Sequence, residues 1–154
     1  MQTNYNFISE HAKQYGISQA VVLHTIIYFV LRNKKYKRNE IAGRYWVFNS
    51  SNQWQYFFPF LSKHQIYRCF KDLTKKEAIL EDSFNKMGYD RTLWHTLSDA
   101  LLNDCIRDSY WKNRVTKMQE PVANVQKSHC KSATPIPYIY TTDNIDVLDG
   151  IEPY

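Results

Sequence analysis

Twelve consecutive residues near the start of the chain, AVVLHTIIYFVL at positions 20–31, carry no charge and only two polar groups, His24 and Thr25. A helix built from them is apolar on nearly every side, and such a helix must be surrounded by protein. The run is too short to span a bilayer, which takes about 20 apolar residues. It is therefore expected at the centre of the fold, in a helix running from about residue 18 to 33 with Ser18 as its N-cap. A shorter helix over about residues 6–15 precedes it and stops at Gly16. His24, amid apolar neighbours, is expected to be a core histidine with a hydrogen-bond partner.

The remaining segments must pack around that helix. RNKKYKRNE, residues 32–40, carries five bases and reads as an exposed loop or frayed helix end. Residues 44–50, RYWVFNS, are aromatic and β-branched and predict a short strand. Trp54, Phe57 and Phe58 then recur at helical spacing until Pro59 breaks the helix. These three aromatics and Phe60 are expected in the core rather than in contact with bases.

After a turn of about three residues, Ile66, Cys69, Phe70 and Leu73 follow the i, i+3, i+4, i+7 spacing of one buried stripe. Ser62 with Gln65 three residues on has the form of a capping box, so the helix is expected to begin at Ser62 or Lys63. Residues 79–84 and 91–97 read as two strands joined by the turn residues Asn85, Gly88 and Asp90. A further helix is expected from Ser98. The stretch from Glu120 onward is rich in Pro, Ser and Thr, has no helical period and reads as a linker. The expected organisation is one domain over residues 1–100 and a helical extension with a Pro/Ser/Thr-rich, acidic-ended tail over 101–154.

The second helix of the pair shows solvent a different face: Lys63, His64, Gln65, Tyr67, Arg68, Lys71 and Lys75. Two helices joined by a turn, the second polar and basic, form a helix-turn-helix candidate, and the hairpin directly after it supplies a wing. Several short motifs occur in matching order: WVFNS at 46–50, Gln53–Trp54, FPFLS at 58–62, LTKK at 73–76 and YDRTLW at 89–94. In these the chain, over roughly residues 5–100, resembles the N-terminal winged-helix module of bacterial phage and plasmid replication proteins, of the replication-initiator or replisome-organiser type. The resemblance implies a mainly α fold with a small β-hairpin wing, double-stranded DNA as partner and a bacterial cytoplasm as setting. Members of that family often continue into a region that contacts helicase or primase; the stretch after the wing here is short and different in character, so helicase loading is not expected.

Division of labour at such a surface assigns phosphate contacts to affinity and base edges to sequence choice. Arg68 has the fork to read guanine O6 and N7, and Gln65 the amide to pair with adenine. Lys63 and His64 lie in the first turn, which enters the groove deepest. Tyr67, Lys71 and Lys75 are placed to reach sugar or phosphate, and Lys86 and Arg91 to contact backbone or minor groove from the wing. For Asp90 and Arg91 a salt bridge within the turn is an equal alternative.

Charge agrees with a polyanionic partner. Twenty Lys and Arg stand against fifteen acids, and the last twelve residues hold four of those acids and no base, so residues 1–142 carry +9. An acidic end so placed can compete with phosphate for the basic face.

Other chemistries find little footing. With four glycines, at 16, 43, 88 and 150, no phosphate-cradling Gly-rich loop can be built. The five histidines make no metal-binding spacing, and Glu81 and Asp82, adjacent on a strand, face opposite sides and read as solvated edge charges. Cys69, Cys105 and Cys130 are odd in number without a C-x-x-C pair, as expected of reduced thiols. Neither metal nor nucleophile is expected at His129–Cys130. No signal peptide, membrane span, cofactor or catalytic activity is expected, and the sequence leaves the oligomeric state open. A second function class stays open beside DNA binding: a phage-encoded interaction or inhibitor module, for instance against a CRISPR effector, docking on a host replication or defence protein or its RNA through the basic face or tail.

Overall fold

The computed structural model describes residues 3–119. Within them the chain is mainly helical with two small antiparallel sheets. The expectations for the acidic tail, for His129 and for Cys130 fall outside the described residues. The helices are α1 (Ser9–Tyr15), α2 (Ile17–Tyr36), α3 (Ser51–Phe57), α4 (Lys63–Lys75), α5 (Asp99–Arg107) and α6 (Ser109–Lys117); the strands are β1 (Glu40–Ile41), β2 (Arg44–Tyr45), β3 (Val47–Phe48), β4 (Ile79–Asp82) and β5 (Trp94–Leu97).

The helix α2 occupies the centre, as its composition requires. Every residue from Ala20 to Asn33 except Thr25 is buried. No described helix is long and apolar enough to cross a membrane. Its start differs from the sequence reading: Gly16, not Ser18, is the N-cap. At φ 107° Gly16 both accepts from Ala20 N–H and donates to Ala12 O, so one residue ends α1 and begins α2. A Cβ there would strike the Gln19 carboxamide, which donates to Asp72 Oδ2 on α4 at 2.9 Å. α1 also starts later than expected, because Tyr5 is held against Phe58 and Phe60 and its hydroxyl donates to Phe57 O.

The helix α2 also runs further, through Lys34, Lys35 and Tyr36, where a loop or frayed end was expected. Lys35 Nζ donates to Val115 O and Met118 O at 2.8 and 2.9 Å, and Tyr36 OH to Met118 O at 2.8 Å. The last turn of α2 thus satisfies carbonyls at the end of α6, groups that a helix terminus otherwise leaves free. β1 and β2 then form a hairpin around Ala42 and Gly43, both with positive φ, the backbone of a type I′ turn.

The expected strand over 44–50 is split at Trp46. Its N–H goes to Asn39 O at 3.1 Å and its C=O receives Asn33 Nδ2 at 2.8 Å, so it joins neither ladder. β3 continues into a second sheet of order β3-β5-β4, with Phe48 opposite Trp94 and Glu81 opposite His95. All four residues of β5 are buried. The aromatic rings of Phe48 and Trp94 stack at 3.9 Å.

Both α3 and α4 open with complete capping boxes, Ser50 with Gln53 and Ser62 with Gln65. The helix α4 buries Ile66, Cys69, Phe70 and Leu73, the expected stripe. It ends with Ala78 N–H on Leu73 O and Glu77 N–H on Thr74 O, a Schellman motif with Glu77 at φ 61°. Trp54, Phe57 and Phe58 are core residues, but Phe60 is 54% exposed: Pro59 turns the chain outward and leaves Phe60 edge-on to Tyr5 at the surface. Beyond Ser98 the expected single helix is two, because Asp108 leaves helical geometry and caps α6 by accepting from Tyr110 N–H at 2.7 Å. Leu101, Cys105, Trp111 and Met118 join the same core as α2.

Candidate nucleic-acid interface

Because α4 turns its apolar stripe inward, its opposite face is fixed in solvent. Lys63, His64, Gln65, Tyr67, Arg68 and Lys75 are exposed; Lys71 is half-buried. His64 and Arg68 make no hydrogen bond or ion pair among the described residues, so both are free to meet a ligand. The other positions are partly engaged. Lys63 Nζ donates to Asn52 Oδ1, which holds the cation beside the start of α3. Gln65 Oε1 accepts from Ser62 N–H at 2.8 Å in the capping box, which leaves its amide nitrogen as the remaining polar group of the side chain.

Lys71 is engaged as well. Its ammonium lies 2.8 Å from Glu81 Oε1 and 5.4 Å from the Tyr67 ring, so its charge is largely answered within the protein. Nor is Glu81 a solvated edge charge, although Asp82 beside it is exposed. Register places Glu81 opposite His95, and its second oxygen pairs with His95 Nε2 at 3.1 Å. The hydrogen bond from His95, helped by Lys71, brings the Glu81 carboxyl down to about 2 against the desolvation that opposes it. His95, 3% exposed, stacks on Phe70 at 4.4 Å and so links β5 to α4.

The β4–β5 connection, residues 83–93, is organised by one side chain. Asn85 Nδ2 donates to Asp90 O at 2.9 Å and Thr92 O at 2.7 Å, while Asn85 Oδ1 accepts from Trp94 Nε1 at 3.0 Å. Asp90 accepts from Thr92 N–H at 2.9 Å, a bond that lowers its carboxyl pKa; the ion pair with Arg91 considered from the sequence is absent among the described residues. Lys86 and Arg91 are exposed on this loop, as is Tyr89 at its tip.

Between α4, the start of α3 and the base of this loop lies a cleft of about 390 Å³. Sequence reading missed it, since its walls come from four separate segments. Lys63 and Tyr67 line it from α4, Arg91 and Thr92 from the loop, Asn49 and His95 from the sheet side. Comparison of the chain with protein-family models, with curated proteins and with solved structures finds no match in any of the three.

Proposed function

We propose that the protein is a winged-helix DNA-binding protein, with α4 as recognition helix and the β4–β5 loop as wing. The observation that supports this best is the surface of α4: a rigid, doubly capped helix with His64 and Arg68 unengaged and Lys63 and Lys75 exposed, next to a loop bearing Lys86 and Arg91. In this reading α4 enters the major groove, Arg68 contacts base edges, and Lys63, Lys75, Lys86 and Arg91 displace counterions from phosphate. The activity is binding rather than catalysis, and the resemblance of the ordered motifs suggests replication initiation of a phage or mobile element, or its control. Gel shifts with random duplex DNA over a salt series test it: affinity should fall steeply and linearly in log–log form as salt rises. Salt-independent binding, or none at low salt, overturns the reading.

A second reading is favoured by the apolar groups the loop and turn display. Tyr89 is 81%, Met87 59% and Phe60 54% exposed, and large apolar side chains in the open are characteristic of protein-binding surfaces. In that reading the same fold is an adaptor or inhibitor module that docks on a host replication or defence protein.

A further inference from the structure

A convex helix face would be enough to bind duplex DNA, yet a cleft opens directly beside it. Asn49 lines this cleft, is only 5% exposed, and has no partner for either its carboxamide oxygen or its nitrogen. His95 lines it too, with Nε2 engaged by Glu81 and Nδ1 unpartnered. Buried polar groups without partners are few in folded proteins, because each forfeits its hydration without return. Such atoms occur elsewhere in the fold as well, at His11, Tyr28, Arg32 and Trp111, but Asn49 and His95 are set apart by lining a cleft, where a ligand can supply the missing bonds.

The chemistry of the walls narrows that ligand. A free carboxamide offers donor and acceptor side by side, the pattern that matches the edge of a nucleobase. Of the rings that line it, Trp54 and Phe70 are almost buried and Tyr67, half-exposed, is the open aromatic surface suited to a planar heterocycle. Lys63 and Arg91 suit an adjoining phosphate. Glu81 also lines the cleft, but its charge is offset by Lys71 and faces His95, so it does not repel an anion as a lone carboxylate would. A volume of about 390 Å³ falls within the range of small-ligand sites.

We propose that this cleft binds a single unpaired nucleotide, its base against the aromatic wall and read by Asn49, its phosphate between Lys63 and Arg91. The proposal rests on the nucleic-acid reading of the α4 face and specifies what that face grips. A paired base cannot enter without leaving its stack, so the nucleotide is either extruded from a duplex or free in solution.

Three probes separate these sources on the full chain: a blunt duplex, the same duplex with one bulged adenine, and dAMP alone. The bulged duplex should bind about tenfold more tightly than the blunt one, the contribution of one well-made base contact. Asn49→Ala should erase most of that preference without lowering the melting temperature, since the fold loses no hydrogen bond with it. With 2-aminopurine at the bulge, binding to the native chain should quench its emission as it stacks, a readout that needs no variant. Equal affinity for the two duplexes with unchanged emission overturns the cleft proposal and leaves duplex binding standing. Binding of dAMP without either duplex keeps the cleft and sinks the duplex reading. Failure of all three probes sinks both, and retention of a polyglutamate peptide in their place assigns the cleft to an acidic protein segment.

Discussion

Two regions of this molecule are rich in basic and aromatic side chains, and they use them in opposite ways. At the seam between α2 and α6, Arg32 and Arg114 are 2% and 6% exposed and lie over rings, Arg32 at 6.0 Å from Tyr28 and Arg114 at 5.2 Å from Tyr110. His24 on the same seam bonds the Tyr110 hydroxyl at 2.7 Å and packs on Trp111. On the α4 and loop face, by contrast, Arg68, His64, Lys75, Lys86 and Arg91 stand in solvent. The difference follows from what lies behind each helix. α2 is buried almost throughout from Ala20 to Asn33, so even its arginine is covered; α4 has one apolar stripe, and its cations, Lys71 apart, stay exposed. A buried cation against rings belongs to the fold, and an exposed one is available for binding.

The largest effect should come from the seam. Trp111 is 1% exposed and in contact with His24 and Arg114, so Trp111→Ala should remove about 3–5 kcal/mol of stability in a denaturant melt. A change below about 1 kcal/mol would mean the seam is not part of the cooperative core. On the other face, Arg68→Ala should leave stability within about 0.5 kcal/mol. Its cost should instead fall on binding, about 1–3 kcal/mol at a preferred DNA site, with relaxed base choice there. Unchanged affinity in an intact fold would remove Arg68 from the interface.

The sequence makes some of this contrast legible and hides the rest. α2 could be read because its uncharged, mostly apolar run of twelve residues calls for burial, and α4 because capping box and stripe agree in phase. The pairing of β4 with β5 could be read from two β-prone runs around Asn, Gly and Asp, but the strands are shorter than the expected 79–84 and 91–97, ending at Asp82 and resuming at Trp94. The last turn of α2 could not, since its partners at Val115 and Met118 lie 80 or more residues away. Nor could the β1–β2 hairpin, whose turn puts an alanine at positive φ where propensity expects Asn or Gly. The engagement of Lys71 depends on strand register, which sets Glu81 between it and His95, and the cleft depends on four segments meeting. Local pattern carries no trace of either.

Protonation probes the seam without removing a side chain. Burial, with the nearby charges of Arg114 and His11, drives the His24 pKa from 6.5 down to about 3. A histidine depressed in this way contributes no penalty above pH 6.5, and stability falls as pH drops from there toward 3 because the unfolded chain takes up the proton first. From pH 7 to pH 5 the loss should be about 2 kcal/mol. Glu81 acts in a lower window, below about 4.5, so it does not enter this range. Melts of His24→Gln should show a flatter pH dependence over the same interval; an unaltered slope would place the titrating group elsewhere, with His11, depressed in the same direction, the first alternative.

The smallest effect tests the border between the two uses. Lys71 and Lys75 sit one turn apart on α4, but Lys71 is held by Glu81 while Lys75 is exposed. Each phosphate contact contributes about one to the slope of log affinity against log salt, so Lys75→Ala should reduce that slope by about 1 and leave stability nearly unchanged. Lys71→Ala should leave the slope almost as it was. Its effect should instead be a loss of at most about 1 kcal/mol of stability at neutral pH, the range of a half-exposed ion pair. Losing Lys71 also takes away one of the groups that keep the Glu81 carboxyl low, so the acid limb of the stability profile should move toward higher pH. If instead both variants reduce the salt slope equally, Lys71 leaves Glu81 when DNA binds, and the division between structural and ligand-facing cations does not run through α4.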